Sequence, residues 1–270
     1  MKLLSGAELV GYIKERQARQ VRALRQAHSV FPKLAIVQTI DDPVIDTYVR
    51  LKKGYGSDIL IDVAVHKVAQ SEARDVIDQL NADALVHAII VQLPLADTAQ
   101  TDEVVNRVAP SKDVDGLAAD SLFDPATALA INWLCAGYNI DLVKQSILIV
   151  GQGRLVGAPL TKMWRDSGYT VVTADRSTDN LTQLCHEASL IVAGAGSPGL
   201  ITSHMVRPDT ILIDAGTASE GGKIVGDIAP DIYARDDLKI TPQKGGVGPL
   251  TVAALFDNVI RAATRVSASL

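Results

Sequence analysis

The chain has 270 residues, enough for one large domain or two of ordinary size. Hydrophobic residues make up 47% of it, which is typical of a globular fold and excludes a disordered chain. The net charge of −5 shows no basic stripe, so we expect no nucleic-acid partner. We find no signal peptide, no membrane span of ~20 apolar residues and no metal-type cysteine spacing. We therefore expect a cytoplasmic protein without a metal, in which Cys135 and Cys185 are reduced and buried.

Helical and strand patterns alternate through the first part of the chain. The predicted helices are 6–28, 42–56 and 71–83, and the predicted strands are 33–40, 58–65 and 84–94. Ser71 is a plausible helix cap. The strand at 84–94 is apolar throughout, which is typical of a strand buried on both faces of a parallel sheet. This order of elements predicts an open α/β sheet.

A polar segment flanked by prolines, 110–125, predicts a loop and a domain boundary. A helical connector is predicted at 126–138, and an amphipathic helix ends the chain. Between them the pattern predicts strands at 146–150, 170–175, 189–194, 210–214 and 238–241, with helices at 154–167 and 179–187. The second part is therefore a second α/β domain.

The segment "LIVGQGRLVGAP" at 148–159 joins an apolar strand to a helix through three spaced glycines. Glycines in this context let the backbone approach the pyrophosphate of a dinucleotide. The next strand ends in Asp175, at about the distance where the dinucleotide fingerprint places a ribose contact. The combination favours a nucleotide-binding turn.

Three residues in the first domain, on one helix and one strand, could carry chemistry or be ordinary structure. Tyr48 and Lys52 lie four residues apart on one predicted helix face, although Lys53 beside them also fits a solvated surface. Gln92 is a polar residue at the carboxyl end of an apolar strand, where ligands bind in open α/β sheets. It could equally be a simple strand terminus.

Two loops could likewise have either a functional role or an ordinary structural one. "KDVDG" places carboxylates at Asp113 and Asp115, and turn chemistry alone would explain both. "GGVGPLT" at 245–251 leads into the last helix, either as a glycine-rich approach for a flat ligand or as a plain connector.

Five segments carry a resemblance that covers nearly the whole chain in order. They are "YVRLKK", "LNADALVHAIIVQLPL", "PSKDVDG", "VGQGRLVGAP" and "ITPQKGGVGPLT". Together they resemble the bifunctional methylenetetrahydrofolate dehydrogenase/methenyltetrahydrofolate cyclohydrolase family. Five motifs in register are far more specific than any one of them.

The resemblance implies a fold and a reaction. It assigns residues 1–120 and the C-terminal helix 249–270 to a folate-binding catalytic lobe, and 121–248 to a Rossmann-type dinucleotide-binding domain. It implies oxidation of 5,10-methylenetetrahydrofolate with NAD or NADP, then hydrolysis to 10-formyltetrahydrofolate, in one-carbon metabolism and purine biosynthesis. It also implies a small-molecule folate substrate and a homodimer.

The resemblance also implies the roles of single residues. Lys52 is the central catalytic group, Gln92 orients it, Tyr48 packs on the folate and Asp115 binds the pterin. Backbone at Gly246, Val247, Gly248 and Pro249 lines the folate site. The cofactor residues are Gly151, Gln152, Gly153, Arg154, Val156, Gly157, Asp175, Arg176, Gly196 and Thr217.

Several positions depart from the family pattern. The segment 125–130 lacks a second proline and a glycine, Ile45 replaces a serine, and Lys244 replaces a proline. Gln152 and Gly153 replace the Arg and Ser that help NADP-using relatives recognise the 2′-phosphate. With Asp175 at the ribose these changes favour NAD, although Arg176 could pair with a phosphate. The alternatives are a member with one activity only, and a non-catalytic folate- or dinucleotide-binding paralogue.

Overall fold

The computed structural model describes residues 1–220 and 223–267. The chain divides into two compact units. One contains Gly11–Ala126 and Val252–Leu270, and the other contains Met1–Val10 and Thr127–Thr251. Within the described ranges, no helix has both the length and the apolar character that crossing a bilayer requires.

The elements are numbered in chain order. The strands are β1 Lys2–Leu3, β2 Lys33–Gln38, β3 Asp62–Lys67, β4 Ala88–Gln92, β5 Ile147–Val150, β6 Val171–Ala174, β7 Leu190–Ala193, β8 Ile211–Asp214, β9 Ala218–Glu220, β10 Lys223–Val225 and β11 Lys239–Ile240. The helices are α1 Gly6–His28, α2 Pro43–Asp58, α3 Ala73–Ala82, α4 Thr101–Val105, α5 Ala126–Gly137, α6 Gly157–Asp166, α7 Leu181–Glu187 and α8 Val247–Ser267.

The unit that contains Gly11–Ala126 is built on a parallel three-stranded sheet in the order β3-β2-β4. The apolar run of β4 is buried, and the strand ends at the half-buried Gln92. Gln38 at the end of β2 lies opposite Gln92 in the register. Because the strands are parallel, both glutamines reach the same edge of the sheet.

Helix α2 carries residues of this edge and has a well-defined start. The Asp42 side chain accepts hydrogen bonds from the backbone N–H groups of Val44 and Ile45, at 2.8 and 3.1 Å. Pro43 occupies the first turn, where its missing N–H costs nothing. At the other end, Tyr55 stacks on Phe256 of α8 with ring centroids 5.1 Å apart. The C-terminal helix therefore packs on the helix that bears Lys52.

Three details of this unit differ from the sequence prediction. The predicted strand 58–65 begins only at Asp62, because α2 continues to Asp58 and Leu60 turns the chain with a φ of 66°. Ser71 is not a helix cap, since it lies inside a 3-10 turn that precedes α3. The five-residue helix α4 lies in a segment where the sequence pattern predicts no helix.

The other unit has a six-stranded parallel sheet in the order β1-β11-β8-β7-β5-β6. The strands predicted from 146 onward all form, each within a residue or two of its expected bounds. Two parallel sheets in two α/β units confirm the predicted fold class. The domain boundary differs at the N-terminus: residues 1–120 were assigned to the folate lobe, but Lys2–Leu3 pair with β11 in this sheet.

Three further differences concern this unit. The helix predicted at 154–167 begins at Gly157, because residues 151–156 form the turn. An antiparallel pair, β9 and β10, appears where no strand is predicted. The C-terminal helix begins at Val247 rather than at 249, and residues 268–270 of the predicted helix lie outside the described residues.

Candidate active site

Lys52 and Gln92 meet at the carboxyl edge of the three-stranded sheet. Lys52 Nζ donates a hydrogen bond of 2.7 Å to Gln92 Oε1. Gln92 Nε2 in turn donates to the carbonyl oxygen of Leu93 at 3.0 Å. An ammonium group can only donate, so the oxygen of the amide must face the lysine. Gln92 is thereby held in the one orientation that receives Lys52.

Asp115 completes an electrostatic cluster around the lysine. Burial lowers the pKa of Lys52, and the nearby Asp115 carboxylate opposes this by raising it. Burial raises the pKa of Asp115, the Lys52 charge lowers it, and Asp113 adds to the rise. Desolvation is the largest influence on the pKa of both groups, so the charged form of each is less favoured than it would be in water. A lysine in this state is suited to acid/base work nearer neutral pH.

Tyr48 lies one helical turn before Lys52 on α2 and is half-buried. Burial raises the pKa of its phenol, which is therefore neutral over the physiological range. A neutral aromatic ring on the same helix face offers a flat packing surface beside the lysine. Lys53 is exposed, so the solvated-helix interpretation fits Lys53 rather than Lys52.

The two aspartates of the "KDVDG" loop differ in their surroundings. Asp113 is 3% exposed, and its carboxylate accepts a 2.8 Å hydrogen bond from the Ala118 N–H. Turn chemistry therefore explains Asp113. Asp115 is only half-buried and interacts electrostatically with Lys52. Of the two carboxylates, Asp115 is therefore the one that the turn itself does not explain.

Asn258 of α8 holds this loop, and no sequence pattern marks it as functional. Its Nδ2 donates to the carbonyl oxygens of Val114 at 2.9 Å and Asp124 at 3.0 Å. Asn258 is fully buried, so these bonds satisfy a donor that would otherwise be orphaned. Gly116 has a φ of 71°, and a Cβ there would lie 2.7 Å from the Pro125 nitrogen. The residue next to Asp115 must therefore be glycine.

A second contact ties α2 to the sheet. Gln38 is 1% exposed, and its Nε2 donates to Asp46 Oδ1 at 2.9 Å and to the Ile40 carbonyl oxygen at 2.9 Å. The helix is thus joined to two adjacent strand ends, through Gln38 and through Gln92. Ile45, which replaces a serine of the family pattern, packs in the core with 5% exposure.

In the other unit, the turn after β5 is crowded at two of its three glycines. Gly151 has a φ of 91°, and a Cβ there would lie 2.5 Å from the Gly194 carbonyl oxygen. A Cβ on Gly157 would collide with the Gly151 carbonyl oxygen. Gly153, by contrast, has no heavy atom within 4 Å of a built Cβ. Packing therefore requires Gly151 and Gly157, whereas Gly153 leaves open space in front of the turn.

The turn leads directly into α6, whose first turn has no side-chain cap. Val156 stands at the capping position, and Arg154 lies exposed within the turn. Gln152 does not reach outward: its Nε2 donates to the Gly151 carbonyl oxygen at 3.0 Å, and its Oε1 accepts from Thr161 at 3.2 Å. An uncapped helix N-terminus behind open space is a site for an anion such as a pyrophosphate.

Asp175 immediately follows β6, the strand beside the turn. Its Oδ1 accepts from the Ser177 hydroxyl at 2.6 Å and from the Ser177 N–H at 2.9 Å. These hydrogen bonds lower the pKa of Asp175, so the carboxylate is ionised at neutral pH. Arg176 beside it is exposed.

The remaining predicted residues lie on loops of the same unit. Gly196 follows β7 with a φ of 65°, and Thr217 is exposed after β8. Gly246 directly precedes α8 and residues 247–249 form its first turn, with Val247 buried and Gly248 exposed. The structure thus brings Tyr48, Lys52, Gln92 and Asp115 together in one unit. The predicted cofactor residues and residues 246–249 belong to the other unit.

One unit places a desolvated lysine at the carboxyl ends of its parallel strands, and the other joins a strand to a helix through a glycine-rich turn. This combination is typical of a nucleotide-dependent α/β enzyme with two units. Comparison with known proteins agrees. Residues 4–115 match the catalytic domain of the tetrahydrofolate dehydrogenase/cyclohydrolase family, and 125–267 match its NAD(P)-binding domain.

Individual relatives cover almost the full length. Proteins named bifunctional protein FolD are 35% identical over 97% of this chain in Amoebophilus asiaticus and 33% identical over 97% in Nitratiruptor sp., with 96% and 98% of the relatives covered. The crystal structure of the bifunctional enzyme FolD, methylenetetrahydrofolate dehydrogenase/cyclohydrolase, from Campylobacter jejuni superposes with a TM-score of 0.91 at 33% identity, covering 98% of this chain and 99% of that one. The chain belongs to the tetrahydrofolate dehydrogenase/cyclohydrolase family, which confirms the resemblance seen in its motifs.

Proposed function

We propose that this protein oxidises 5,10-methylenetetrahydrofolate to the methenyl form with NAD(P) and then hydrolyses that product to 10-formyltetrahydrofolate. Family membership supports both activities. The observation that carries the proposal is the 2.7 Å bond from Lys52 Nζ to Gln92 Oε1 beside Asp115. A non-catalytic binder has no use for a desolvated lysine held in this way.

Lys52 acts at the one-carbon centre of the folate. In the hydrolysis, a water molecule adds to the cationic carbon and loses a proton. The bond between that carbon and N5 then breaks as the new hydroxyl gives up its proton and N5 gains one, which leaves the formyl group on N10. Burial lowers the pKa of Lys52, so its amine accepts and returns that proton more readily than an exposed lysine. Gln92 keeps Nζ in place during this exchange, because its own amide is fixed by the Leu93 carbonyl.

Asp115 and Tyr48 bind the folate rather than transfer its protons. The Asp115 carboxyl group accepts hydrogen bonds from the amino group and ring N–H of a pterin, which fixes the orientation of the ring. The neutral Tyr48 ring packs on the flat face of the substrate. A backbone lining of the folate site by residues 246–249 stays a prediction from the family resemblance.

The unit that contains Thr127–Thr251 holds the dinucleotide, whose nicotinamide accepts a hydride when bound. Its residues fit that ligand, because the α6 N-terminus is uncapped and Gly153 leaves open space before it. Gly151, Gln152, Arg154, Val156 and Gly157 supply the turn and the start of the helix. We assign Gly196 and Thr217, on the loops after β7 and β8, to the same site.

We further propose a preference for NAD over NADP. Gln152 is folded onto its own turn, and Gly153 has no side chain, so neither offers a donor to a 2′-phosphate. Asp175 is ionised next to the expected ribose, where it accepts a hydroxyl hydrogen bond and repels a phosphate. Arg176 is the opposing charge. Measuring kcat/KM with both cofactors tests this, and a clearly higher value for NADP would refute it.

One spectroscopic experiment separates the candidate functions. Purified protein is mixed with methylenetetrahydrofolate and each dinucleotide, and absorbance is followed for reduced nicotinamide and for the methenyl chromophore. Reduced nicotinamide with little methenyl accumulation supports the bifunctional enzyme. Persistent methenyl product indicates a dehydrogenase alone. Hydrolysis of added methenyl substrate without any reduction indicates a cyclohydrolase alone, and no change in either signal indicates a binding protein.

We also propose a homodimer, as the family resemblance implies. Strand β6 is an edge of the six-stranded sheet, and its Val172 is 45% exposed, so a partner could cover apolar surface there. Light scattering tests this, since the chain mass is 28.7 kDa. A cytoplasmic location stays a prediction from the sequence.

A further inference from the structure

Asp227 is a buried carboxylate that belongs to neither set of predicted site residues. It is 0% exposed and gathers three consecutive backbone N–H groups of the loop after β7. Its Oδ2 accepts from Ala195 at 2.5 Å and from Gly196 at 3.1 Å, and its Oδ1 accepts from Ser197 at 2.7 Å. One buried side chain therefore fixes three consecutive amides of this loop.

A second carboxylate holds Asp227 itself. Asp214 at the end of β8 accepts from the N–H groups of Asp227 and Ile228, both at 3.1 Å, and from Gly216 at 2.9 Å. The two acids therefore connect the sheet to the loop through successive hydrogen bonds to the backbone. Asp214 anchors the backbone of 227–228 to β8, and Asp227 anchors 195–197 to that backbone.

Two glycines leave space for the carboxylates of Asp214 and Asp227. A Cβ on Gly216 would lie 2.5 Å from Asp227 Oδ1, and a Cβ on Gly226 would collide with Asp214 Oδ2. Any other residue at either position would displace a carboxylate. Two aspartates and two glycines, Asp214, Asp227, Gly216 and Gly226, thus pack together so that the loop at 195–197 has a fixed path.

That loop forms one wall of the glycine turn. A Cβ on Gly151 would lie 2.6 Å from both the nitrogen and the Cα of Ala195, so the two backbones are in direct contact. Gly196 has a φ of 65°, and a Cβ there would meet no heavy atom within 4 Å. The loop is therefore pinned by its amides on the Asp227 side and open at Gly196.

We propose that Asp227 is a positioning residue for the dinucleotide, which it serves by holding 195–197 in the bound shape before the cofactor arrives. The inference rests on the proposed dinucleotide site at the glycine turn. Asp227 acts only through the loop, since its carboxylate is fully buried and its oxygens are occupied by backbone donors. A loop that is already ordered loses less conformational entropy on binding, which tightens the complex.

The test uses the full chain with Asp227→Asn and, as a matched control, Asp231→Asn. Asp231 is an exposed acid of the same unit that accepts one long bond of 3.3 Å from the Ser203 N–H. The asparagine at 227 keeps the shape but presents an amide NH₂ where a loop N–H needs an acceptor. We expect the dinucleotide KM to rise about tenfold or more, kcat to change less than about threefold, and Asp231→Asn to behave as wild type.

Hydrolysis of added methenyltetrahydrofolate, which needs no cofactor, provides an independent readout of the Lys52 site. We expect it to stay within about twofold of wild type in Asp227→Asn. A dinucleotide KM that does not move, or that rises only in parallel with lost hydrolysis, overturns the positioning role.

A measurement on the wild-type protein guards against a variant that fails to fold. Hydrogen exchange without any cofactor should show the amides of 195–197 protected to the level of the neighbouring β7. Unprotected amides there overturn the proposal, whatever the variants do. A wild-type protein that reduces neither NAD nor NADP overturns the proposed dehydrogenase instead, and exchange at 195–197 then still reports whether the loop is pinned.

Discussion

The Lys52 site and the Gly151 turn are built by opposite means. At Lys52 the sequence supplies side chains whose charges are desolvated and balanced against one another. At Gly151 it removes side chains, so that backbone can approach backbone and the space before Gly153 stays open. The Lys52 site is therefore sensitive to a change in charge, and the Gly151 turn is sensitive to a change in side-chain volume. Substitutions that keep the shape should therefore affect the first site, and substitutions that add one carbon should affect the second.

The largest expected effect is at Lys52. Lys52→Met keeps the length of the side chain and removes the amine that exchanges a proton. Loss of one positioned acid/base group costs about 10²–10⁴-fold. Hydrolysis of methenyltetrahydrofolate, followed by loss of its absorbance, should slow by that factor.

Lys53→Met is the matched control, because Lys53 is the next residue on α2 and is exposed. It should hydrolyse the methenyl substrate at nearly the wild-type rate. A Lys52→Met enzyme that does the same would falsify the assignment of Lys52 as the catalytic group.

The next effect in size is at Asp115, where Asn keeps the shape and loses the charge. A missing hydrogen bond to a charged group costs about 1.5–3 kcal/mol, so the KM for folate should rise about 10- to 150-fold. The dinucleotide KM should not change. Asp113→Asn should instead lower the melting temperature, since Asp113 holds the turn through the Ala118 N–H. If Asp115→Asn weakens only dinucleotide binding, the pterin role is wrong.

The same variant has a pH signature. The Asp115 carboxylate raises the pKa of Lys52 against the larger effect of burial, which lowers it. Removing that charge lowers the pKa of Lys52 further. At saturating folate, the limb of the hydrolysis profile that reports Lys52 should therefore move to lower pH in Asp115→Asn. A shift to higher pH would show that the two groups do not interact as described.

A smaller effect is expected from one added carbon at the glycine turn. Gly153→Ala places a methyl group in open space, so the melting temperature should not change. Crowding of a bound pyrophosphate costs about 1–2 kcal/mol, which raises the dinucleotide KM about tenfold. The control is Gly11→Ala in α1, also in open space, which should raise stability by about 0.5–1 kcal/mol without any kinetic effect. Unchanged cofactor KM in Gly153→Ala would place the ligand elsewhere.

Local pattern was enough to predict much of the fold. Helix α1 occupies the expected Gly6–His28, and β4 ends at Gln92 where the apolar run stops. Strand β1 could not be predicted, because two residues show no period and its partner β11 is more than 230 residues away. The end of α2 was missed for a related reason: the apolar residues of 59–61 follow a strand pattern, but the turn at Leu60 interrupts it.

At the sites, the residues proposed to contact a ligand carry a signal in the sequence, whereas the residues that hold them in place do not. Lys52 and Gln92 are marked by a helix face and a strand end. Asn258 and Asp227 are buried polar residues within other patterns, and their partners lie far along the chain. Their role is to satisfy backbone groups of distant loops, which depends on the tertiary fold and leaves no local signal.

The smallest and most selective effect is expected at Asp175, between the two cofactors. Asp175→Ser removes the ionised carboxylate and keeps a hydroxyl that can still bond within the turn. The loss of a hydrogen bond to the ribose of NAD and of the repulsion on a 2′-phosphate act in the same direction. Because the group is exposed and its charge is screened by water, the effect is small, and the ratio of kcat/KM for NADP over NAD should rise about fivefold.

The control for this ratio is Asp179→Ser, which removes an exposed charge from the same segment after β6. If any negative charge there repelled the phosphate, both variants would shift the ratio equally. If Asp175 acts through direct contact with the ribose, only Asp175→Ser shifts it. Arg176→Ala in the Asp175→Ser background then tests which group accepts the phosphate: the gain for NADP should disappear with the arginine, because a guanidinium next to position 175 can pair with the 2′-phosphate. A gain that survives Arg176→Ala would mean that relief of repulsion alone sets the preference.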